Sequence, residues 1–355
     1  YELSIKRLIS RKLSMLIADG TTRPGQIEAE SFIAQRAEHQ LAELVLLQPD
    51  DAHQPKGTNA WLERLPVNRH FHLRMENDGD WARIARVVTG AGLGLVLSGG
   101  GARAYAHIGV LQALSEAGIA IDFIGGTSMG AIVASLLASG WDHDTLRRDI
   151  RRCFVETNPL SDYTLPVVSL VRGLKVKRLL TANLGQVEIP DLWLPFYCIS
   201  SNLTTGMVHV HRRGQLVAAL RASSALPGIL PPMITKDGVL ADGGIIDNLP
   251  VDIMREHHRG PLAAIDVTRD LALNPQWLKG EIAASPWFRL LRPPIIPLLM
   301  RAATVSGDDQ TRRQASLADT VITPPLGDID IRDWKAFDAA VDAGYNHTRI
   351  LIDHN

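Results

Sequence analysis

The chain has 355 residues, 46% of them hydrophobic and 21% charged, with a formal net charge of −1. This is globular composition with ample material for a core, and so even a charge balance gives no reason to expect nucleic acid as a partner. Cys153 and Cys198 are the two cysteines; they form neither a disulfide framework nor a metal spacing, which makes a reducing compartment the default while also suiting a periplasmic protein, and no run of eighteen apolar residues offers a membrane span.

In chain order, residues 1–18 place Ile5, Leu8, Ile9, Leu13 and Leu16 on one helical face and Lys and Arg on the other. The spacing predicts an amphipathic helix, packed on a neighbour or lying at an interface. The chain opens on Tyr1 rather than Met, as a fragment does. A Gly/Thr/Pro break covers 19–27, and Ser31–Leu47 reads as helix running into the apolar "LAELVLLQP". "HFHLR" (70–74) alternates as a strand, and "DWARIARVVTG" (80–90) reads as a helix ended by Gly90. Residues 19–90 are thus expected to form a small α/β attachment without a chemical motif.

From Gly92 the texture changes. "LGLVLSG", "IDFIGGTS", "PFYCISSNL", "GVLADGG" and "LAAIDVT" are apolar strand candidates, and "YAHIGVLQALSEAG" and "MGAIVASLLASG" are helices of crossover length. Such alternation predicts an α/β fold, a largely parallel central sheet sandwiched by helices, over 91–270. Residues 271–355 read as an extension, rich in Pro and Trp and then helical over Trp334–Ile352, packed on that core.

Two glycine loops and one aspartate carry the chemistry. Gly126-Thr127-Ser128-Met129-Gly130 is a G-x-S-x-G pattern between a strand and a helix. Its glycines allow a turn sharp enough to expose the serine Oγ at the positive end of a helix. Gly99, Gly101 and Ala104 fit a dinucleotide fingerprint, with Asp122 about twenty residues on. That reading leaves the serine elbow unexplained, whereas an oxyanion hole on the neighbouring strand end uses both loops. The nucleophile also needs a base. None of the twelve histidines, His107, His209, His211, His257 and His258 among them, has a persuasive context. Asp242, ending an apolar run before Gly243 and Gly244, puts a carboxylate at another strand end, where burial would lift its pKa towards the working range.

Together these motifs resemble the patatin-like phospholipase family. Its glycine loop corresponds to Gly99-Gly100-Gly101-Ala102-Arg103-Ala104, its elbow to Gly126–Gly130 and its D-G-A/G motif to Asp242-Gly243-Gly244; "RASSALPGILPP" (221–232), Asn248 and Pro250 also match. The resemblance covers about 92–268 and implies a Ser128–Asp242 dyad without histidine, metal or cofactor. The oxyanion hole is then drawn from Gly99, Gly100, Gly101, Ala102 and Arg103, centred on Gly100 and Gly101. Ala104 departs from the family's glycine, at a cost of roughly 1 kcal/mol if φ there must be positive. Arg103 is left with two roles, meeting an anionic headgroup or fixing the loop. "LPVNRHFHLR" and "LWLPFYCISSNLTTGMVHVHRRG" are similar to the neuropathy target esterase branch, whose members carry cyclic-nucleotide-binding modules upstream; residues 1–18 would be the closing helix of such a module.

The resemblance implies an esterase of lysophospholipids or phospholipids, cytoplasmic or peripheral to the inner face of a membrane. Its rivals are a catalytically silent lipid-binding protein on the same fold and a dinucleotide-dependent oxidoreductase. For membrane contact, "SPWFRLLRPPIIPLLMRAATV" (285–305) sets Trp287 and Phe288 among arginines and prolines, which suits the headgroup boundary or a segment packed over the core.

Overall fold

The computed structural model describes residues 6–9, 13–23, 41–157, 161–164, 169–268, 307–327 and 329–354. Strands β1 (Lys6–Ile9), β2 (Leu13–Asp19), β3 (Leu41–Gln48) and β4 (Arg69–Arg74) form a sheet in the order β1-β2-β3-β4, antiparallel at the first pair and parallel thereafter. The helices expected over 1–18 and into 41–47 are therefore strands; residues 1–5, 10–12 and 31–40 lie outside the described residues. The cause is burial on both faces. Along β3, Val45 and Leu47 enter one apolar cluster while Ala42, Leu44 and Leu46 enter another; in β2, Met15 and Leu16 are divided the same way. A strand with two buried faces loses its period of two and imitates a helical stripe. With that helix gone, the reading of residues 1–18 as the end of an upstream module loses its basis.

Helix α1 (Thr58–Leu62) precedes β4, and α2 (Asp78–Thr89) follows it. Asn77 caps α2 by accepting from the Asp80 N–H, and Gly90 closes it in the left-handed conformation. Arg86 of α2 reaches Asp122 with two bonds of 3.0 and 2.7 Å.

The main sheet begins with β5 (Gly94–Leu97), crosses through α3 (Ala106–Glu116) to β6 (Phe123–Thr127), and continues into α4 (Ser128–Ala138) and α5 (His143–Ile150). After α6 (Leu174–Leu184) come β7 (Phe196–Asn202), β8 (Met207–His211), α7 (Leu216–Ser223), β9 (Met233–Thr235) and β10 (Gly238–Asp242). Then follow α8 (Val251–His257), β11 (Leu262–Ile265), α9 (Gly307–Ala315), β12 (Thr320–Ile322) and α10 (Phe337–Asp353). Hydrogen-bonded neighbours run β12-β11-β5-β6-β7-β10-β9, with β8 also on β7. The first five strands are parallel; β8, β9 and β10 enter antiparallel. This is the expected α/β sandwich with a mixed end, and β12 comes from the segment expected to lie on top of the core.

Alternate residues face opposite layers. Leu95, Leu97, Ile124 and Cys198 pack under the helical layer, and Val96, Phe123, Tyr197 and Ile199 share a cluster with Val45 and Phe71 of the N-terminal sheet. That sheet therefore covers one face of the main sheet. Helix α10 closes the other side on α3, where a Cβ on Gly109 would fall 1.9 Å from the Val341 carbonyl and one on Gly344 2.1 Å from that of Ala106. Residues 285–305 lie outside the described residues.

Candidate active site

The chain turns from β6 into α4 at Ser128, whose φ of 54° is the one positive value on a non-glycine among the described residues. Holding a serine there costs on the order of 1–3 kcal/mol. The flanking glycines make room for it. A Cβ on Gly126 would sit 2.6 Å from the Leu97 carbonyl oxygen, and one on Gly130 2.3 Å from that of Ser98. The Ser128 N–H donates to Ser223 Oγ at 2.9 Å, and its Oγ donates to Asp242 Oδ2 at 2.6 Å.

The sheet explains how residues 114 positions apart meet. β8 occupies one edge of β7 over Cys198–Asn202. On the other edge β6 pairs with Phe196–Ile199 and β10 with Ser200–Asn202. Thr127 stands opposite Ile199 and Asp242 opposite Ser200, so β6 and β10 arrive end to end and Ser128 faces Asp242 across the junction. Gly243 is what lets them close: a Cβ there would meet the Ile199 oxygen at 2.7 Å and Thr127 Cγ2 at 2.8 Å.

Asp242 is 5% exposed. Burial pushes its carboxyl up to about 6, against the opposing pull of two hydrogen bonds, from Ser128 Oγ and from the Gly244 N–H at 2.9 Å. Ser128 is half-buried. A dry carboxylate with a raised pKa, bonded to a hydroxyl at a strained turn, has the chemistry of a base beside a nucleophile.

The glycine loop lies beside this pair, with the Cβ position of Gly99 3.1 Å from Ser128 Cβ. Its N–H groups are not equivalent. That of Gly99 donates to the Asn248 carbonyl at 3.3 Å, that of Ala102 to Ile331 at 2.8 Å and that of Arg103 to Gly100 at 3.2 Å. Among the described residues nothing accepts from the N–H of Gly100 or Gly101. Of the five N–H groups expected from the sequence, those of Gly99, Ala102 and Arg103 are thus committed to carbonyls and those of Gly100 and Gly101 are not. Arg103 is 2% exposed and donates to the carbonyls of Val267, Gly327 and Ile329; it ties the loop to the C-terminal segment, the contacts that its loop-fixing role requires. Ala104 is buried with φ outside the positive region, so a methyl there carries no backbone strain.

Other candidates are engaged elsewhere. Asp122 precedes β6, at the far end of the strand from Ser128, and holds Arg86 and the Leu93 N–H, which removes it as a ribose ligand. His107 is buried against the Ser98 carbonyl, His211 is bonded to Ser200 Oγ and His258 to the Pro261 carbonyl. Burial lowers His107 and His211 to about 4. For two groups the sequence offers a family match but no role. Ser223 anchors the elbow N–H, and Asn248 clamps Gly99 from both sides, its carbonyl accepting from the glycine N–H and its Nδ2 donating to the glycine oxygen. Both stand in stretches that carry the family likeness, but nothing local signals their partners.

Residues 95–255 match the patatin-like phospholipase family model. An NTE family protein of Mycobacterium tuberculosis is 34% identical over 333 residues, 91% of this chain and 55% of that protein. Lysophospholipase NTE1 of Saccharomyces cerevisiae is 32% identical over 305 residues, covering 81% of this chain and 18% of its own. Among solved structures, VipD from Legionella pneumophila aligns over 74% of this chain and 67% of its own, at 18% identity and a TM-score of 0.43. The chain thus spans about half the length of the mycobacterial relative and less of the yeast one. By its matched core and these relatives, the chain belongs to the patatin-like phospholipase family, on its neuropathy target esterase-like branch.

Proposed function

We propose that this chain is a serine esterase that releases fatty acids from lysophospholipids or phospholipids. The observation that carries the reading is the 2.6 Å bond between Ser128 Oγ and the buried Asp242 carboxylate, beside two N–H groups without an acceptor among the described residues. Ser128 Oγ attacks the acyl carbonyl carbon while Asp242 takes its proton. The oxyanion is held by the N–H groups of Gly100 and Gly101. Collapse breaks the ester C–O bond, Asp242 returns the proton to the departing alcohol oxygen, and the acyl group stays on Ser128. Water, deprotonated by Asp242, then attacks the acyl-serine; the bond to Ser128 Oγ breaks as Asp242 returns the proton to that oxygen, and the fatty acid is freed. The yeast relative's name, lysophospholipase, favours a single-chain lipid as substrate.

The lipid is met at a membrane surface; among the described residues no helix is long and apolar enough to cross a membrane. The Asp242 N–H donates to Ala225, and a few residues on, Gly228 and Ile229 accept from the N–H groups of Leu170 and Val171. Tyr163, bridged to Val171, is 71% exposed, and Leu174 is exposed beside the exposed cations Arg172, Lys175, Lys177 and Arg178. Aromatic and aliphatic groups among cations suit an anionic headgroup layer.

The test is a fluorophosphonate probe with lysophosphatidylcholine hydrolysis alongside. Labelling and fatty-acid release by the parent, both absent in Ser128→Ala, support the reading. A parent that binds lysophospholipid vesicles but takes no label would be a silent lipid-binding protein.

A further inference from the structure

At the opposite end of the sheet lies a cavity of about 160 Å³, between the starts of β6 and β7, α8 and the N-terminal sheet. Phe123 in its wall and Ser128 are five residues apart along β6, roughly 16 Å at strand rise. The cavity stands apart from the proposed chemistry.

Arg69, Arg212 and Arg213 all line it, and no carboxylate side chain does. Arg69 is nine-tenths buried; its terminal nitrogen pairs with Glu43, while its Nε has no partner. Arg212 makes one long bond, 3.4 Å to the Ile253 carbonyl, and lies 5.9 Å from the centre of the Tyr197 ring. Among the described residues no carboxylate comes within ion-pair distance of Arg212 or Arg213. Burial lowers the Arg212 pKa, with the Glu256 charge pulling the other way. The rest of the wall is largely apolar, with Phe123, Tyr197 and Met254 facing the space. Arg213 is exposed while Arg69 is buried, so the cations run from the mouth to the interior.

Clustered guanidiniums over aromatic walls have a definite complement. They match a phosphate or carboxylate whose charge is taken up by bidentate bonds and whose apolar stem replaces water on the rings. A cavity of this volume has room for a body about as large as benzene.

We propose that this cavity is a binding site for a small organic anion, a phosphomonoester or carboxylate on an apolar stem, seated between the N-terminal sheet and the main sheet. The anion bonds Arg212 and Arg213, and the stem lies against Phe123 and Tyr197. A ligand that binds the folded chain raises its stability.

The experiment uses the full chain with phenyl phosphate, octanoate and inorganic phosphate, followed by calorimetry and thermal shift. Phenyl phosphate or octanoate should bind saturably and raise the unfolding temperature, and short-ester turnover should be undiminished at saturation, which separates the site from the catalytic crevice. Affinity should fall at least tenfold in the double variant Arg212→Gln/Arg213→Gln, which removes both charges and keeps a polar side chain at each position. Whichever organic probe binds tighter identifies the head group. Inorganic phosphate binding as tightly as both organic probes would overturn the role of the apolar wall. No saturable binding of either organic probe, or equal binding by the double variant, would overturn the site.

Discussion

Replacing Asp242 by asparagine separates the proposed chemistry from the fold that holds it. Asparagine keeps the shape and an acceptor for the Gly244 N–H but cannot take the Ser128 proton. General-base transfer contributes about 10²–10⁴-fold. Turnover of a short p-nitrophenyl ester should therefore fall about a thousandfold, some 4 kcal/mol of barrier at about 1.4 kcal/mol per factor of ten, with KM little changed. In the parent, kcat/KM should drop about tenfold per pH unit below pH 6, where the carboxylate of pKa about 6 protonates. Ser128→Ala combined with Asp242→Asn should be no worse than the more damaging single change.

Stability should move the other way. The folded pKa of Asp242, about 6 against an ordinary 3.8, is raised. Its stabilising contribution is complete below about pH 4 and lost as pH rises through 6, and above that the buried charge costs about 3 kcal/mol. The substituted amide would bury no charge, so Asp242→Asn should unfold at a higher temperature than the parent at pH 8, with the gap closing by pH 4. Calorimetric scans at the two pH values measure this. Turnover within tenfold of the parent would refute Asp242 as the base, and a pH-independent gap would refute the burial argument.

A Cβ on Gly100 would lie 2.6 Å from Val267 Cγ2, so Gly100→Val should displace the two acceptor-free donors and cut kcat about a hundredfold or more in the same ester assay. Ala104→Gly should leave turnover unchanged and cost about 0.5–1 kcal/mol in denaturant titrations, because the added freedom meets no need for positive φ. Arg103→Ala strands three carbonyls at a buried site and should lower stability by about 2–5 kcal/mol; kcat should fall by the same factor for neutral and anionic substrates, whereas selective loss on anionic lipids would restore a headgroup role. Tyr163→Ser/Leu174→Ser should weaken flotation with anionic vesicles while leaving short-ester turnover intact, and equal flotation by both proteins would remove this rim as the membrane contact.

What could be read in advance follows from where each constraint resides. The elbow and the D-G-G turn are local: glycines at Gly126, Gly130 and Gly243 make space for a chain that passes close to a neighbouring strand, and such contacts leave their mark in the sequence as the absence of a side chain. β5, β6 and β11 were legible for a related reason, since strands of a doubly covered parallel sheet are short, apolar and flanked by turn residues. The same double burial misled at β2 and β3. Met15–Leu16 and Leu44–Leu47 carry an apolar stripe that periodicity cannot assign to helix or strand. One of their faces is covered by Val96, Phe123 and Ile199, all of them remote in the chain and invisible to a local pattern.

The hidden part of the site has one character: it is backbone held by distant groups. Which of five loop N–H groups remain available is decided in part by the carbonyls of Asn248 and Ile331, which occupy those of Gly99 and Ala102. A carbonyl is present at every residue and carries no sequence signal of its own. Arg103 is the visible half of the same arrangement. A charge placed where three carbonyls converge from Val267, Gly327 and Ile329 fixes the end of the loop, and α10, pressed on α3 through Gly109 and Gly344, holds that C-terminal segment against it. The segment read as a mere covering for the core thereby sets which donors the oxyanion would meet.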